Sequence, residues 1–468
     1  MQSPDQIIFK LELYYFWLFV CILYLVGVKY LWLIYIRTKF GRKVKYIFLA
    51  LDVPRANVQT PRAVENLFTY LGGAHGTINF FEKWWEGKWQ IYFSFEIVSI
   101  GGHTQFVVRT PVEYRYLVET AVYSQYPDAE ITEIEDYTKG IPTKYPNEEY
   151  DVAGGEYIHQ QNHMFPIKTY EEFEHMMGPS EMQFKDPMAS LMDMFSSLRP
   201  GEQAWYQILV IPTGFDWMGE ADEQVAKIRG VKPETSFWNK LIDIFLELVS
   251  DLGEIVVTLW SDIEDKPEKE FKPLSMIELT PKLKKQVEGL HKKISKLGFE
   301  TKIRFVYVAR KEVFDSKKVA NGFVGFIKQF IALDLNSFKP DLRHTYTTSA
   351  YFSRVKRTEA KKSHLIHNYI NREDTAGMPP KILNVEELAT IWHFPIEDSV
   401  RAPLIQKTPA KKSKPPMSLP SDDTLEAVSA LEPLTALDEN WTPAPSSASK
   451  NFNDSANTGE APTNLPFG

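Results

Sequence analysis

Two histidines have a spacing that metal-binding sites use. His159 and His163 lie four residues apart, and Glu156 lies three residues before the first of them. On a helix the three side chains would share one face, and imidazole nitrogens and carboxylate oxygens bind zinc. The surrounding segment, however, predicts a strand or a loop, and no HExxH or CxxC motif accompanies the pair. We therefore interpret the histidines as structural and predict neither a metal nor a cofactor.

Motifs for nucleotide and nucleophile chemistry are missing from the sequence. A phosphate-binding loop reads GxxxxGK[ST], in which backbone amides surround the phosphate and the lysine reaches it. Gly87 and Lys88 are followed by Trp89 instead, and neither GxGxxG nor GxSxG occurs. The single cysteine, Cys21, lies in an apolar stretch, where no partner residues for cysteine-based catalysis are expected. One cysteine also cannot form an internal disulfide framework. We predict that the chain is not an enzyme.

The densest aromatic cluster is a candidate site for docking a partner. It consists of Phe80, Phe81, Trp84, Trp85 and Trp89. Tryptophan is enriched among the residues that anchor protein interfaces, and clustered exposed aromatic side chains indicate a docking surface. The alternative is that these side chains form core beneath the first sheet.

A local basic segment is a candidate contact for an anionic partner. The whole chain has 53 Lys and Arg against 61 Asp and Glu, a net charge of -8, so any attraction for nucleic acid must be local. Between Arg343 and Arg372 the cations dominate, and the candidate contacts are Arg354, Lys356, Arg357, Lys361 and Lys362. Such a segment could follow the phosphates of DNA or face anionic lipid. A solvated helix face is the alternative.

An apolar stretch near the N-terminus predicts a transmembrane helix over residues 13–36, after an N-terminal arm of residues 1–12. Only Lys29 interrupts its 24 residues. A helix of that length spans about 36 Å, against about 30 Å for the hydrocarbon core of a bilayer. Lys29 lies near the end of the stretch, where its amine can reach the headgroups. A buried core helix is the alternative.

The charges around this stretch predict its orientation. Cations follow it closely, whereas the arm before it carries Asp5, Lys10 and Glu12. Because cytoplasmic flanks are enriched in Lys and Arg, we predict an N-terminus outside and a cytoplasmic body, in a single-pass protein of the cytoplasmic (inner) membrane. The lipid bilayer is thus the first predicted partner. The predicted flank residues are Lys29, Arg37, Lys39, Arg42, Lys43 and Lys45.

The sequence after the apolar stretch, which we call the body, predicts an α+β fold built from two ferredoxin-like (split βαβ) domains. In residues 45–140 the apolar patterns follow the order βαββαβ, with Pro61 opening the first helix and Gly101-Gly102 turning a hairpin. Residues 150–352 repeat this order, with a first strand at 156–160 or 167–170 and a last strand at 344–352.

The second predicted domain contains a helical insertion, residues 213–299. Thr280 and Pro281 open one amphipathic helix, and a seam from Trp238 to Leu259 predicts another. The simplest arrangement is an antiparallel helical hairpin; docking of one seam on a partner or a membrane is the alternative.

The sequence pattern changes in the C-terminal part of the chain, first to a basic helix and a strand-helix element and then to a tail. Residues 353–400 predict the basic helix and a strand-helix element, whose helix Asn384 caps with Glu387 in a capping box. Residues 401–468 contain many prolines and small polar residues but few large apolar ones, which predicts a disordered tail.

Several long stretches together resemble a known group of proteins. Membrane-anchored bacterial ATPases related to type IV secretion and conjugation systems, notably in candidate-phylum bacteria, carry an uncharacterised α+β domain ahead of a helicase-like motor. The stretches that resemble this domain include LALDVPRANVQTPRAVENLF, EKWWEGKWQIYFSFEIVSIGG, QFVVRTPVEYRYLVE, QYPDAEITEIEDYT, DPMASLMDMFSSLRPGEQAWYQILVIP and ILNVEELATIWHFP. After KPPMSLP, where the motor would begin, this chain continues into the tail.

The resemblance implies an anchoring and docking half that works with a separately encoded motor. We therefore predict a non-catalytic, membrane-anchored scaffold of a type IV secretion-like or DNA-translocation machine. Its expected partner is a secretion-type ATPase or an envelope complex, and because such motors form rings, self-association as a homo-oligomer stays open. The alternative function is a membrane-tethered nucleic-acid-binding protein that uses residues 343–372.

Overall fold

The computed structural model describes residues 4–54, 57, 59–176, 182–184, 186–230, 279–350 and 353–396. Two predictions fall outside the described residues: the insertion helix from Trp238 to Leu259 and the disordered tail, residues 401–468.

The first element is a long apolar helix, α1, over Pro4–Gly41. Among the described helices it alone is long and apolar enough to cross a membrane, over the 25 residues Trp17–Gly41 with a mean hydropathy of 2.1. The helix starts within the predicted arm and continues past the predicted end of the span at Ile36. Arg37 and Lys39 therefore lie on the last turns of α1 rather than in a loop.

The first half of the body follows the predicted order of elements. Pro61 takes the first position of its helix behind an extended Thr60, and the helix buries Val64, Leu67 and Phe68. The elements are β1 (Tyr46–Asp52), α2 (Pro61–Leu71), β2 (Phe93–Ile100), β3 (His103–Pro111), α3 (Arg115–Tyr123) and β4 (Glu130–Ile134).

The second half adds helices around another set of strands. Its elements are β5 (Tyr150–His159), β6 (Glu174–Met176), β7 (Met182–Phe184), α4 (Met188–Ser196), β8 (Glu202–Pro212), α5 (Met218–Ile228), α6 (Pro281–Ile294), β9 (Gly298–Arg310), α7 (Ser316–Lys328) and β10 (Phe338–Pro340). They are followed by α8 (Arg354–Ile370), β11 (Lys381–Asn384) and α9 (Val385–Ile391).

Both halves share one antiparallel sheet. The nine strands of this sheet follow the order β10-β5-β9-β8-β2-β3-β1-β4, and β11 pairs with β9 beside β5. The halves join where β2 pairs with β8, from Phe93 opposite Val210 to Ile100 opposite Gln203. The described strands β6 and β7 form a separate two-stranded sheet.

Helices cover both faces of the sheet. On one face a large apolar core packs under α2, α3, α4, α7 and α9. On the other face a smaller core, which includes Val98, Trp205 and Val306, packs under Leu365, Ile366 and Tyr369 of α8. The predicted α+β class is confirmed, as is the N-terminal apolar helix.

One strand prediction for the second half was wrong, and another was right only in part. Residues 344–350, the described part of the strand predicted at 344–352, form no strand, and the short strand β10 lies at Phe338–Pro340 instead. The Asp341 carbonyl accepts from the Tyr346 amide, and this turn ends the strand, although the Thr347 amide still donates to the Gly154 carbonyl of β5. The first strand, β5, contains most of the predicted position 156–160 but starts six residues earlier, at Tyr150. Its early part runs through Gly154 and Gly155, which weakened its strand pattern.

Three further predicted features, the cap at Thr280, the capping box at Asn384 and the strand-helix element, lie within the body. Thr280 caps α6 by accepting from the Leu283 amide at 3.5 Å, as the sequence predicted. The capping box of Asn384 and Glu387 is also confirmed. The strand-helix element does not extend from the body, since β11 pairs with β9 and α9 packs in the main core.

Candidate functional site

The predicted aromatic cluster lies against the apolar helix. Residues 80–89, which we call the aromatic segment, connect α2 to β2 and contain a short π-helix, Glu82–Glu86. The indole N–H of Trp32 on α1 donates to the Trp84 carbonyl oxygen at 2.9 Å. The Trp32 and Trp85 rings lie 6.5 Å apart at an edge-to-face angle of 68°. The segment therefore contacts the C-terminal part of the candidate span.

Gly87 allows the closest approach between the aromatic segment and α1. Its φ is +72°, a left-handed conformation that favours glycine. A Cβ at this position would lie 2.5 Å from the Ile36 carbonyl oxygen and 2.7 Å from the Arg37 amide nitrogen. Because these are backbone atoms of a helix, they cannot rotate away as a side chain would. Gly87 thus permits a backbone-to-backbone contact that no other residue type fits.

A stack of rings continues this contact into the sheet. The Phe40 and Trp89 rings lie 6.0 Å apart, and Trp89 stacks on Tyr92 at 5.6 Å, directly before β2. Ile36 is buried by the contact. The last turns of α1 are thus seated on the body instead of being joined to it only through the chain.

The aromatic cluster divides into two sets. Trp84 and Trp89 are half-buried and contact α1 or the sheet. Phe80, Phe81 and Trp85 are 74%, 66% and 68% exposed. The alternative that the cluster forms core is therefore wrong for these three rings. Docking of a partner by the cluster stays a prediction.

The predicted flank residues surround this contact. The five cations after the predicted span are exposed: Arg37, Lys39, Arg42, Lys43 and Lys45. The Lys29 ammonium lies 4.8 Å from the centroid of the Trp84 ring, a distance at which the ring face attracts a cation. Trp84 thus gives the cation within the apolar stretch a partner.

The predicted contacts on α8 differ in availability. Arg354, Lys356 and Arg357 are exposed at the N-terminal end of the helix. Lys361 instead donates to the Leu342 and Thr348 carbonyls, and Lys362 pairs with Asp151. Burial and the neighbouring Arg357 lower the pKa of Lys361. The freely available cationic surface is therefore smaller than the sequence predicted.

A polar row that the sequence analysis missed crosses four strands beneath α8. Glu156, Arg304, Gln207 and Glu96 are direct cross-strand neighbours and are fully buried. The Arg304 side chain donates to Glu156 at 2.9 Å and to the Gln207 oxygen at 3.2 Å. Gln207 donates to Glu96 at 2.9 Å, across the pairing of β8 with β2. The row thus joins the two halves of the sheet.

Arg372 completes this row from the end of α8. Its Nε and Nη2 atoms donate to the two Glu96 oxygens at 3.0 and 3.1 Å, and Nη1 donates to Asp136 at 2.8 Å. Burial alone would raise the pKa of Glu96, but the Arg372 guanidinium and the hydrogen bonds from Ser94 and Tyr137 together outweigh burial, and the pKa of Glu96 falls below its usual value. Tyr137 also donates to Glu96, at 2.7 Å. The arrangement therefore pairs the buried charges of the row with one another.

His159 ends β5, three residues after Glu156 of this row, and His163 follows in the next connection. The His159 and His163 rings are 6.4 Å apart, and His159 packs 5.1 Å from the Phe338 ring. Burial lowers the pKa of His163 to about 4, with Lys381 and Lys293 adding to the effect. The described part of the chain contains no group of three or more His, Cys, Asp or Glu residues that could hold a metal ion.

The buried row left one signal in the sequence. Ser94, Glu96, Gln207 and Arg304 are polar residues at alternating positions of apolar strands. Alternation normally indicates a face in water, and nothing local shows that α8 covers this one.

Comparison with known proteins yields a family assignment. No curated protein matches the chain, and no solved structure does. One family model matches residues 79–399, more than two thirds of the sequence. The match begins beside Phe80 and extends past α9, so it includes the aromatic segment, the polar row and α8. The chain belongs to the family described as a domain of unknown function, DUF8128.

Proposed function

We propose that this chain is a non-catalytic, membrane-anchored scaffold. The observation that carries the proposal is the seat of α1 on the body, made by Gly87 against Ile36 and by Trp32 against Trp84. A flexible tether needs no such contact. A scaffold that positions a partner at a membrane does need one, because its anchor and body must keep a fixed geometry.

The proposed setting is a type IV secretion-like or DNA-translocation machine whose ATPase is encoded separately. The resemblance of six sequence stretches to the domain that precedes such motors supports this setting. The exposed cations on and after the last turns of α1 support an N-terminus outside and a body on the cytoplasmic side of the inner membrane. The partner on the body is then the ATPase or another envelope component.

We also infer that the sheet consists of two fused ferredoxin-like units. The strand orders β4-β1-β3-β2 and β10-β5-β9-β8 support this inference, because both have the first and third strands of a βαββαβ unit at the centre. Fusion through β2 and β8 gives one continuous sheet. Such a sheet suits a scaffold, since it transmits the position of the anchor across the whole body.

Reciprocal purification tests the scaffold role. The tagged full chain is cross-linked in native membranes, solubilised in detergent and purified, and the recovered proteins are identified by mass spectrometry. We expect a secretion-type ATPase, and we expect the tagged ATPase to recover this chain in return. Failure of both purifications to recover a secretion-type ATPase or an envelope component would contradict the proposed role.

An alternative function, nucleic-acid binding, is favoured by the exposed end of α8. Arg354 and Lys356 form no ion pair among the described residues, and with Arg357 they place three cations within four positions. Phosphate contacts by such side chains would make DNA binding strongly dependent on salt.

Two double charge-reversal variants distinguish DNA binding by α8 from a general effect of the net charge. If α8 binds DNA, R354E/R357E in the full chain weakens binding and reduces its salt dependence. The control K317E/K328E makes the same charge change on exposed positions of α7, on the other face of the sheet. Binding to fluorescent duplex DNA is measured by anisotropy at several salt concentrations. Equal effects of both pairs, or no binding by the wild type, would contradict a site on α8.

A further inference from the structure

The exposed rings of the aromatic segment lie beside the part of α1 that would cross the bilayer. Trp84 and Trp85 contact Trp32, which precedes Arg37 by five residues. Lys29, which contacts Trp84, precedes Arg37 by eight residues. At about 1.5 Å per residue these contacts lie about 7–12 Å along the helix from the first flanking cation, toward its apolar centre. The segment is therefore placed deeper than the cations that would face the headgroups.

The three outward rings form an apolar surface at this level. Phe81 stacks on Trp85 with ring centroids 5.5 Å apart, and Phe80 lies 6.0 Å from Trp84. The rings continue the surface of α1, whose own aromatic and aliphatic side chains are exposed along the candidate span. Whatever covers the exposed rings must therefore also contact the exposed side chains of α1.

Two of the four charged side chains of the aromatic segment, Glu82 and Lys88, pair with each other, and the other two, Lys83 and Glu86, are exposed. Glu82 accepts from Lys88 at 2.7 Å and from the Asn79 amide at 3.0 Å, and these hydrogen bonds lower the pKa of its carboxyl. The backbone of residues 82–86 is helical, and the Trp84 carbonyl accepts from Trp32. The apolar faces of interfacial amphipathic helices, often rich in Trp and Phe, lie about 5–10 Å into the boundary between headgroups and acyl chains.

We propose that Phe80, Phe81 and Trp85 insert into the lipid interface beside α1 and form a second membrane contact of the body. The inference rests on the proposed membrane span of α1. A single helix would let the body rotate and tilt at the surface. A second contact fixed to that helix by Gly87 gives the body one orientation relative to the bilayer. The partner is lipid, recognised through aromatic rings at the level of the headgroup–acyl boundary.

Spin labels on single cysteines test this insertion in the full chain. The chain is reconstituted in vesicles of three parts phosphatidylcholine to one part phosphatidylglycerol. One sample carries the label on native Cys21, inside the candidate span. Two others carry C21S with F81C or W85C, and a control carries C21S with I100C. Ile100 is exposed at the opposite end of β2, about 23 Å from Phe93 at about 3.3 Å per residue.

The measured quantity is the accessibility of each label to oxygen, which concentrates in lipid, and to a water-soluble nickel complex. We expect labels at 81 and 85 to favour oxygen, as the label at Cys21 does, and the label at 100 to favour nickel. If the labels at 81 and 85 favour nickel while the label at Cys21 favours oxygen, the proposed insertion of the rings is overturned and the proposed membrane span of α1 still stands. Shielding of 81 and 85 from both reagents would overturn it in favour of a protein occupant.

The same series separates failure of the insertion from failure of the proposed function. If Cys21 itself favours nickel, α1 does not span the bilayer, and both proposals fall together. Thermal unfolding of each variant, measured against the wild type, checks that the labelled chain is folded. Positions 81 and 85 are 66% and 68% exposed, so each label replaces a ring that lies mostly outside the core, although W85C also removes the edge-to-face contact with Trp32.

Discussion

Arg372 occupies a backbone conformation that normally favours glycine. Its φ is +53°, and its amide donates to the Tyr369 carbonyl while the Glu373 amide donates to the Asn368 carbonyl. This is the hydrogen-bond pattern of a Schellman motif, in which glycine usually takes the left-handed position. Here the guanidinium binds buried Glu96 and Asp136 instead. The side-chain contacts thus offset the strain of the backbone.

The variant R372G is therefore expected to lose stability although it relieves that strain. Removing one partner of a buried ion pair costs about 3–5 kcal/mol, whereas a left-handed residue costs about 1–2 kcal/mol. We expect the free energy of unfolding of the full chain in detergent to fall by about 1–4 kcal/mol, measured by denaturant titration. R357A, on the exposed part of the same helix, is the control. Wild-type stability of R372G would show that the pair does not hold α8.

The lowered pKa of Glu96 predicts how stability depends on pH. A carboxyl whose pKa is lower in the folded chain stabilises it above its unfolded value, about 4.3, and loses this contribution as the pH falls toward the folded value. In E96Q that contribution is absent, so the stability difference between wild type and E96Q should be largest near pH 7. We expect it to shrink below about pH 4. A difference that is constant between pH 7 and pH 3 would contradict this assignment.

At the scale of elements, Gly87 determines how α1 joins the body. G87A places a methyl group against the backbone of Ile36 and Arg37 in a left-handed conformation. We expect this change to separate the aromatic segment from α1 and to speed trypsin cleavage after Lys83 and Lys88 severalfold. G76A is the matched control, because a Cβ at Gly76 meets nothing within 4 Å and its backbone is ordinary. Equal cleavage of both variants would mean that the seat does not depend on Gly87.

Elements with local signals could be predicted from the sequence. The caps at Thr280 and Asn384 lie within three residues of the amides that they accept from, and both helices start where predicted. The strand β10 has three residues, too few for a recognisable alternation, so its position was missed. The chain order of the other strands of the large sheet followed from turns and periodicity, whereas β6 and β7 were not predicted.

The buried row and the seat of α1 required the structure. Arg372 and Glu96 are 276 residues apart, and Arg304 and Glu156 are 148 apart. A single sequence does not specify which distant charges meet. The aromatic cluster was found from its composition, but its division into contacting and outward rings depends on how closely Gly87 approaches α1.

At the scale of the whole molecule, the proposed scaffold combines an apolar helix and a continuous sheet that keep one geometry at a membrane. α1 contacts the aromatic segment, the segment leads into β2, and β2 joins the two halves of the sheet through β8. The polar row crosses the same junction. These contacts thus connect α1 to strands on both sides of the junction, as the proposed scaffold role requires.

Labelling of single thiols in intact cells tests the central claim most directly. The full chain carries C21S with S3C, before α1, or C21S with I100C, at the far end of β2. A membrane-impermeant maleimide is applied before and after lysis. The account predicts that position 3 is labelled in intact cells and position 100 only after lysis. Labelling of position 100 in intact cells, or of position 3 only after lysis, would contradict an anchored body on the inner side of the membrane.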